Sequence, residues 1–221
     1  TYPVKRAAGV AGLVRRAGRA QRSPSGVPYL TESALMKAQP TGGLACFVRA
    51  LTVKFKDKPR HFTLIGHSMG TIVINNWLFH FPDFQVKNIV FMAAACSIKD
   101  CIAEIAPYLR RNPGTAFYNL CLHPQAEASE THALDFSPRG SLLEWIDSYF
   151  SLPLTFDDLT FGKWDNAILA AHLFPRDVRP QAHYKMFDFS ARRMVGKHLA
   201  SPTRHGDFTA CMFWKKSFWW S

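Results

Sequence analysis

Residues 62–75, Phe-Thr-Leu-Ile-Gly-His-Ser-Met-Gly-Thr-Ile-Val-Ile-Asn, constrain the fold more than any other stretch of the chain. An apolar run at 62–65 reads as a strand, and Thr71 to Phe81 places Ile72, Val73, Trp77, Leu78 and Phe81 at helical spacing. Between them lies Gly-x-Ser-x-Gly, the layout of a strand–turn–helix nucleophile elbow. A serine hydroxyl is a weak nucleophile, so it must project from a sharp turn toward a base. Ser68 occupies that turn. The backbone folds back on itself there, so Gly66 and Gly70 are both expected to be required small. The helix that follows directs its N-terminal dipole and free N–H groups at the serine, and the Met69 amide is the expected oxyanion donor.

The pattern Gly-x-Ser-x-Gly arises by chance about once in several thousand positions. An apolar strand before it and a helical pattern after it are the surroundings that separate an elbow from an ordinary turn with two glycines.

The rest of the chain continues the alternation of strand and helix. Ile89 to Ala95 is apolar without period-two alternation, as in a strand buried on both faces of a parallel sheet. Helix is expected over Ile98–Arg111, strand over Phe117–Leu122, helix from Ser141 to Phe150, mixed helix and loop over 155–174, and a last strand over His183–Phe189. Upstream, Ala7–Ala20 and a segment from Thr31 read as helices, and Leu44–Phe55 as an amphipathic stretch with Phe47, Leu51 and Val53 or Phe55 inward. The fold class expected is α/β, a doubly wound, mostly parallel sheet in a single domain over 1–221, with 141–175 as a helical cap.

With 221 residues, 48% of them hydrophobic, the chain can bury a substantial core. Its formal net charge is +11, but Lys5, Arg6, Arg15, Arg16, Arg19 and Arg22 precede the first acid, Glu32, so one basic helix carries about half the excess. A solvated helix face explains this better than specific nucleic-acid binding. The same acid-free stretch has the composition of a targeting presequence. Five cysteines without a Cys-x-x-Cys pair read as small core residues in a reducing compartment, with cytoplasmic localisation expected, no metal site and no cofactor. The longest apolar run, Ile89 to Cys96, is too short to cross a bilayer.

A base for Ser68 is expected after the last strand. His205, in Thr-Arg-His-Gly-Asp-Phe, stands there ahead of an aromatic C-terminal segment. His67 neighbours the nucleophile but points away from the turn, which suits packing or loop support. The acid that orients the base should follow the strand at 117–122. Glu127 is the choice there, with Glu130 and Asp135 as alternatives.

These residues, with the phrases Phe-Met-Ala-Ala-Ala-Cys-Ser-Ile-Lys-Asp, Asn-Leu-Cys-Leu-His-Pro-Gln-Ala-Glu, Pro-Arg-Gly-Ser-Leu-Leu-Glu-Trp-Ile-Asp and His-Gly-Asp-Phe, resemble the α/β-hydrolase superfamily from about residue 60 onward. Within it they resemble an uncharacterised microbial esterase- or lipase-like branch. The resemblance implies a serine hydrolase that cleaves a carboxylic ester or related acyl bond through a covalent acyl-enzyme, with Ser68, His205 and Glu127 as its triad. Family members carry further strands and an oxyanion loop before the elbow. Gly42-Gly43 is the one candidate for that loop here, so the chain is expected to be N-terminally truncated. An acyltransferase with the same triad and a non-catalytic binding protein on a hydrolase scaffold are the alternatives. The partner expected is a small acyl ester. Leu142, Trp145, Ile146, Phe150 and Trp164 of the cap are candidates for its pocket, and oligomeric state is left open. The tail Phe213–Trp220 mixes aromatics with lysines, which suits a membrane surface, although packing on the sheet is the favoured reading.

Overall fold

A computed structural model describes residues 42–56, 61–131, 139–151, 153–189 and 192–220. The helices expected over 7–20 and from Thr31, and Asp135, lie outside the described residues. The chain forms two units, Thr1–Lys58 and Pro59–Ser221. In the first, α1 (Gly43–Lys54) follows Gly42 at its N-cap, which places the Gly42-Gly43 pair at a helix start. Its buried residues are Ala45 and Val48, whereas Phe47 and Val53 are exposed, so the inward face is displaced from the one expected.

In the second unit, β1 (Phe62–His67), β2 (Val86–Met92), β3 (Ala116–Cys121) and β4 (Ala182–Met186) form a four-stranded sheet in that spatial order, parallel throughout. Parallel neighbours require crossovers, and the elements between strands supply them. They are α2 (Gly70–His80), then α3 (Ile98–Arg111), then a longer connection containing α4 (Pro124–Ser129), α5 (Leu142–Trp145) and α6 (Trp164–Ala171). The architecture is α/β. Helix α3 packs against both α2 and α6.

The two faces of the sheet bury alternate residues of the same strands, the period-two consequence of the pleat. On one face Phe117 meets Phe91 edge-on and stacks with Phe161 and Phe174. On the other, Val90, Met92, Tyr118 and Leu120 join Phe187, Leu199, Phe208, Cys211, Phe218 and Trp219 in one buried cluster. The C-terminal segment, ending in the short α7 (Lys216–Trp219), covers the second face, with Phe218 and Trp219 packed on the sheet as expected of the tail. Residues Ile89–Phe91 have no exposed surface, in keeping with the unalternating run in the sequence.

The segment expected as a cap is woven into both faces. Leu143 belongs to the cluster beneath the C-terminal segment, while Phe161 and Phe174 stack on Phe117. Asn119 of β3 donates to the Phe161 carbonyl at 2.9 Å. Gly162 crosses the end of β2 so closely that a Cβ there would lie 2.1 Å from the Ala94 nitrogen. Only glycine permits that approach. Of the cysteines, Cys96, Cys101, Cys121 and Cys211 are buried, but Cys46 is exposed and not a core residue. No helix among the described residues is long and apolar enough to cross a membrane.

Candidate active site

The elbow is built by backbone close to the C-terminal ends of β1 and β2. Ser68 has φ +52°, the left-handed region that costs a residue with a Cβ about 1 kcal/mol or more. Surrounding hydrogen bonds hold it there. The Ser68 N–H donates to the Met92 carbonyl at 3.0 Å, and the Ser68 carbonyl accepts from the amides of Thr71 and Ala95 and from the Thr71 hydroxyl. Ala93, directly after β2, is also left-handed at φ +45° and donates to Leu120.

The two glycines of the motif differ in what they do. A Cβ on Gly66 would lie 2.8 Å from Ile74 Cδ1 and 3.0 Å from the Gly70 carbonyl carbon and oxygen. A Cβ on Gly70 would meet nothing within 4 Å. Close backbone approach thus requires glycine at position 66, and not at 70 as the motif alone suggested.

Helix α2 opens immediately after Ser68, with Met69 as its N-cap. The amides of Met69 and Gly70 have no acceptor among the described residues. Such amides at the start of an eleven-residue helix suit a developing negative charge. The Met69 side chain itself is largely exposed.

His205 opens a 3₁₀ turn over His205–Ala210, downstream of β4 and of a hairpin formed by β5 (Met194–Val195) and β6 (His198–Leu199). The residue is buried. Its N–H donates to Glu130 Oε2 at 2.8 Å, and its carbonyl accepts from His67 Nε2 at 2.8 Å. Because a carbonyl can only accept, His67 carries its proton on Nε2 in this bond. The two imidazole rings lie 5.0 Å apart. Asp207 closes the same loop, accepting from the Thr203 amide and hydroxyl and pairing with Arg192 at 3.2 Å. Burial, and secondarily the nearby His67, pushes the His205 pKa down to about 4. Burial also lowers that of His67. Both rings are therefore neutral at pH 7, the state a proton acceptor needs.

The expected acid does not reach this histidine. The Glu127 carboxylate is buried and accepts from the Ser141 hydroxyl. Neither ring nitrogen of His205 has a hydrogen-bond partner among the described residues, so Ser68, His205 and Glu127 are not joined in a hydrogen-bonded line. Burial raises the Glu127 pKa to about 7; the Ser141 bond opposes the shift, and Glu130 and Glu144 add to it. Glu130, one turn later, is the carboxylate that touches the histidine segment, and it does so through the backbone. The reason lies in loop closure: the Ser141 amide returns to the Glu127 carbonyl at 2.7 Å and the Gly140 amide to the Glu130 carbonyl at 2.8 Å, which folds Ser141 over Glu127.

Sequence reasoning assigned no role to Asp207, although it lies four residues beyond a threonine whose amide and hydroxyl it accepts from. His67 has the supporting position expected of it, with the histidine loop as its partner. His123 caps α4 by accepting from the Gln125 amide. No group of three or more His, Cys, Asp or Glu side chains among the described residues is placed to hold a metal ion.

The arrangement joins a strained serine, unpaired amides at a helix start and a neutral buried histidine within one unit. Compared with protein-family profiles, curated proteins and solved structures, the chain matches none.

Proposed function

We propose that this protein is a serine hydrolase acting on carboxylic esters, as the sequence resemblance implies. The observation that carries this reading is Ser68 at φ +52° between a parallel strand and the open N-terminus of α2, with Gly66 packed against the Gly70 carbonyl. An unstrained turn would serve a purely structural connection equally well, so the strain points to a functional demand.

In the proposed reaction the Ser68 oxygen attacks the ester carbonyl carbon while its proton passes to His205. The tetrahedral oxyanion sits against the Met69 and Gly70 amides. Its collapse expels the alcohol, which takes the proton back from His205. Water then attacks the acyl-enzyme, again through His205, and releases the acid. An oxyanion donor of this kind is worth about 10²- to 10³-fold in rate. Glu130 holds the His205 backbone through its N–H. Glu127, the carboxylate expected to orient His205, accepts from the Ser141 hydroxyl instead.

A fluorophosphonate probe, read by intact mass on this chain and its Ser68→Ala variant, tests the reading. Labelling that is lost in the variant supports an activated serine. A folded chain that does not label supports the second reading, a binding protein on the same scaffold. That alternative is favoured by the unpartnered His205 ring and by the engagement of Glu127 with Ser141.

A further inference from the structure

The sheet ends at β4, whose outer edge pairs with no strand among the described residues. Successive residues of a strand turn their backbone groups to opposite edges. The Phe187 N–H donates to the Cys121 carbonyl of β3 at 3.0 Å, so His183 and Lys185 also turn theirs to β3. Ala182, Tyr184 and Met186 therefore face outward. The Ala182 N–H donates to the Arg179 carbonyl. The Ala182 carbonyl, and both backbone groups of Tyr184 and of Met186, have no backbone partner among the described residues.

This edge is the floor of a groove. A hollow of about 520 Å³ runs beside residues 182–185, with Trp164 and Ile168 of α6 on one side and Trp219 and Trp220 of the tail on the other. A second hollow of about 260 Å³ shares Ala182 and Tyr184 with it and adds Ala171 and His172. Positions 164, 168, 171 and 172 share one helical face, so α6 turns a single stripe toward the edge. The two walls stand on opposite faces of the sheet. Tyr184 meets Phe161 edge-on beneath α6, and His183 meets Trp220 edge-on at 4.8 Å beneath the tail. Every residue of β4 is half-buried, while Ile168 is 38% and Trp220 50% exposed.

The charges beside the groove offset one another. Lys185 donates to the Phe218 carbonyl at 2.9 Å and feels Asp188, which is exposed two residues past β4. Arg179 donates to the His172 and Phe174 carbonyls. Lys216 lies over the Trp220 ring at 5.5 Å, and Asp165 is exposed in the first turn of α6. Burial lowers the His183 pKa, so that ring is neutral at pH 7. We propose that this groove binds an extended, uncharged peptide segment of another protein, which joins the sheet as a fifth strand. The outward groups of Tyr184 and Met186 stand two residues apart, roughly 6.6 Å, the interval at which a strand repeats its own donor and acceptor. Apolar walls on both faces select an unbroken apolar run, as for any strand covered on both sides. Mixed charge gives a polyanion no run of cations to follow. A second copy is a poorer fit, because its own edge lies between the same projecting walls.

The test is fluorescence anisotropy of the full chain with the labelled peptide Ser-Val-Ile-Val-Phe-Ser, N-methylated on alternate residues so that one edge is blocked and the peptide stays monomeric. The same peptide N-methylated on every residue is the control. The expected result is saturable binding of the first and none of the second. Met186→Pro removes an outward N–H that the ladder with β3 does not use, which an edge strand tolerates, and it should weaken binding by about tenfold. Ile168→Asp should weaken it roughly fivefold. Circular dichroism confirms that both variants fold. Hydrogen exchange at the Tyr184 and Met186 amides should slow by at least about tenfold with peptide bound, while the His183 and Lys185 amides, already in the ladder, stay unchanged. Absence of binding overturns the proposal. So does equal binding of the fully methylated peptide, unchanged exchange at Tyr184 and Met186, or a dimer of the free chain that Met186→Pro dissolves. The groove lies three strands from β1, so probe labelling of Ser68 reports separately on the hydrolase reading and either can fail alone.

Discussion

The side chain of His67, the residue before Ser68, donates from Nε2 to the backbone carbonyl of His205 at 2.8 Å, across 138 residues of chain. This bond fastens the serine turn to the loop that carries His205. Misplacing a base by about 1 Å costs on the order of 10²-fold in rate. His67→Ala should therefore slow fluorophosphonate labelling of Ser68 by about 10- to 100-fold without abolishing it. His67→Gln, which retains an N–H donor, should recover most of the loss. Equal labelling by wild type and His67→Ala would show that the loop keeps its place without the bond.

The glycines of the motif should respond unequally. Gly66→Ala forces a Cβ against the Gly70 carbonyl and Ile74, and overpacking of that kind costs about 1–3 kcal/mol. Gly70→Ala meets open space within the first turn of α2 and replaces a poor helix former, so its effect should lie between neutral and about 1 kcal/mol stabilising. Thermal unfolding of both variants checks the contrast.

Glu127 makes stability depend on pH. Its carboxyl titrates at about 7 in the fold against an ordinary 4.5, so the folded state holds the proton more tightly and stability falls as pH rises between those values. The whole shift corresponds to at most on the order of 3 kcal/mol. Glu127→Gln keeps the shape without the charge. It should raise the unfolding temperature at pH 8, with the advantage shrinking as pH approaches 5. Because Glu127 bonds to Ser141 and not to His205, labelling of Ser68 should survive this substitution. Loss of labelling in a folded Glu127→Gln chain would return Glu127 to the role of triad acid.

His205 runs the other way. Its pKa is depressed to about 4 from 6.5, so the unfolded chain takes up the proton first and the stability it contributes is lost as pH falls from 6.5 toward 4. The same depression keeps the imidazole neutral in mildly acidic solution. The rate of Ser68 labelling should hold below pH 6.5 and decline with a midpoint nearer 4. A midpoint at 6.5 would show a solvated ring in the labelling-competent protein.

Much of this fold is written in local pattern. The buried run Ile89–Ala95, the helical spacing after Ser68 and the strand over 117–122 each specify an element through period and apolarity, because burial on both faces demands an unbroken apolar run. The turn at Ser68 was legible for the same reason, since a motif is a linear property. The identity of the carboxylate beside the histidine was not. Glu127 and Glu130 stand three apart on one short stretch, and their partners are set by the closure of Gly140 and Ser141 onto that stretch and by a contact 75 residues away at His205. The sequence by itself determined which residues form strands, helices and the serine turn, because these follow from backbone geometry and local apolar spacing. Only the tertiary structure decided which polar group meets which, because each such pairing depends on a distant loop closing over a buried charge.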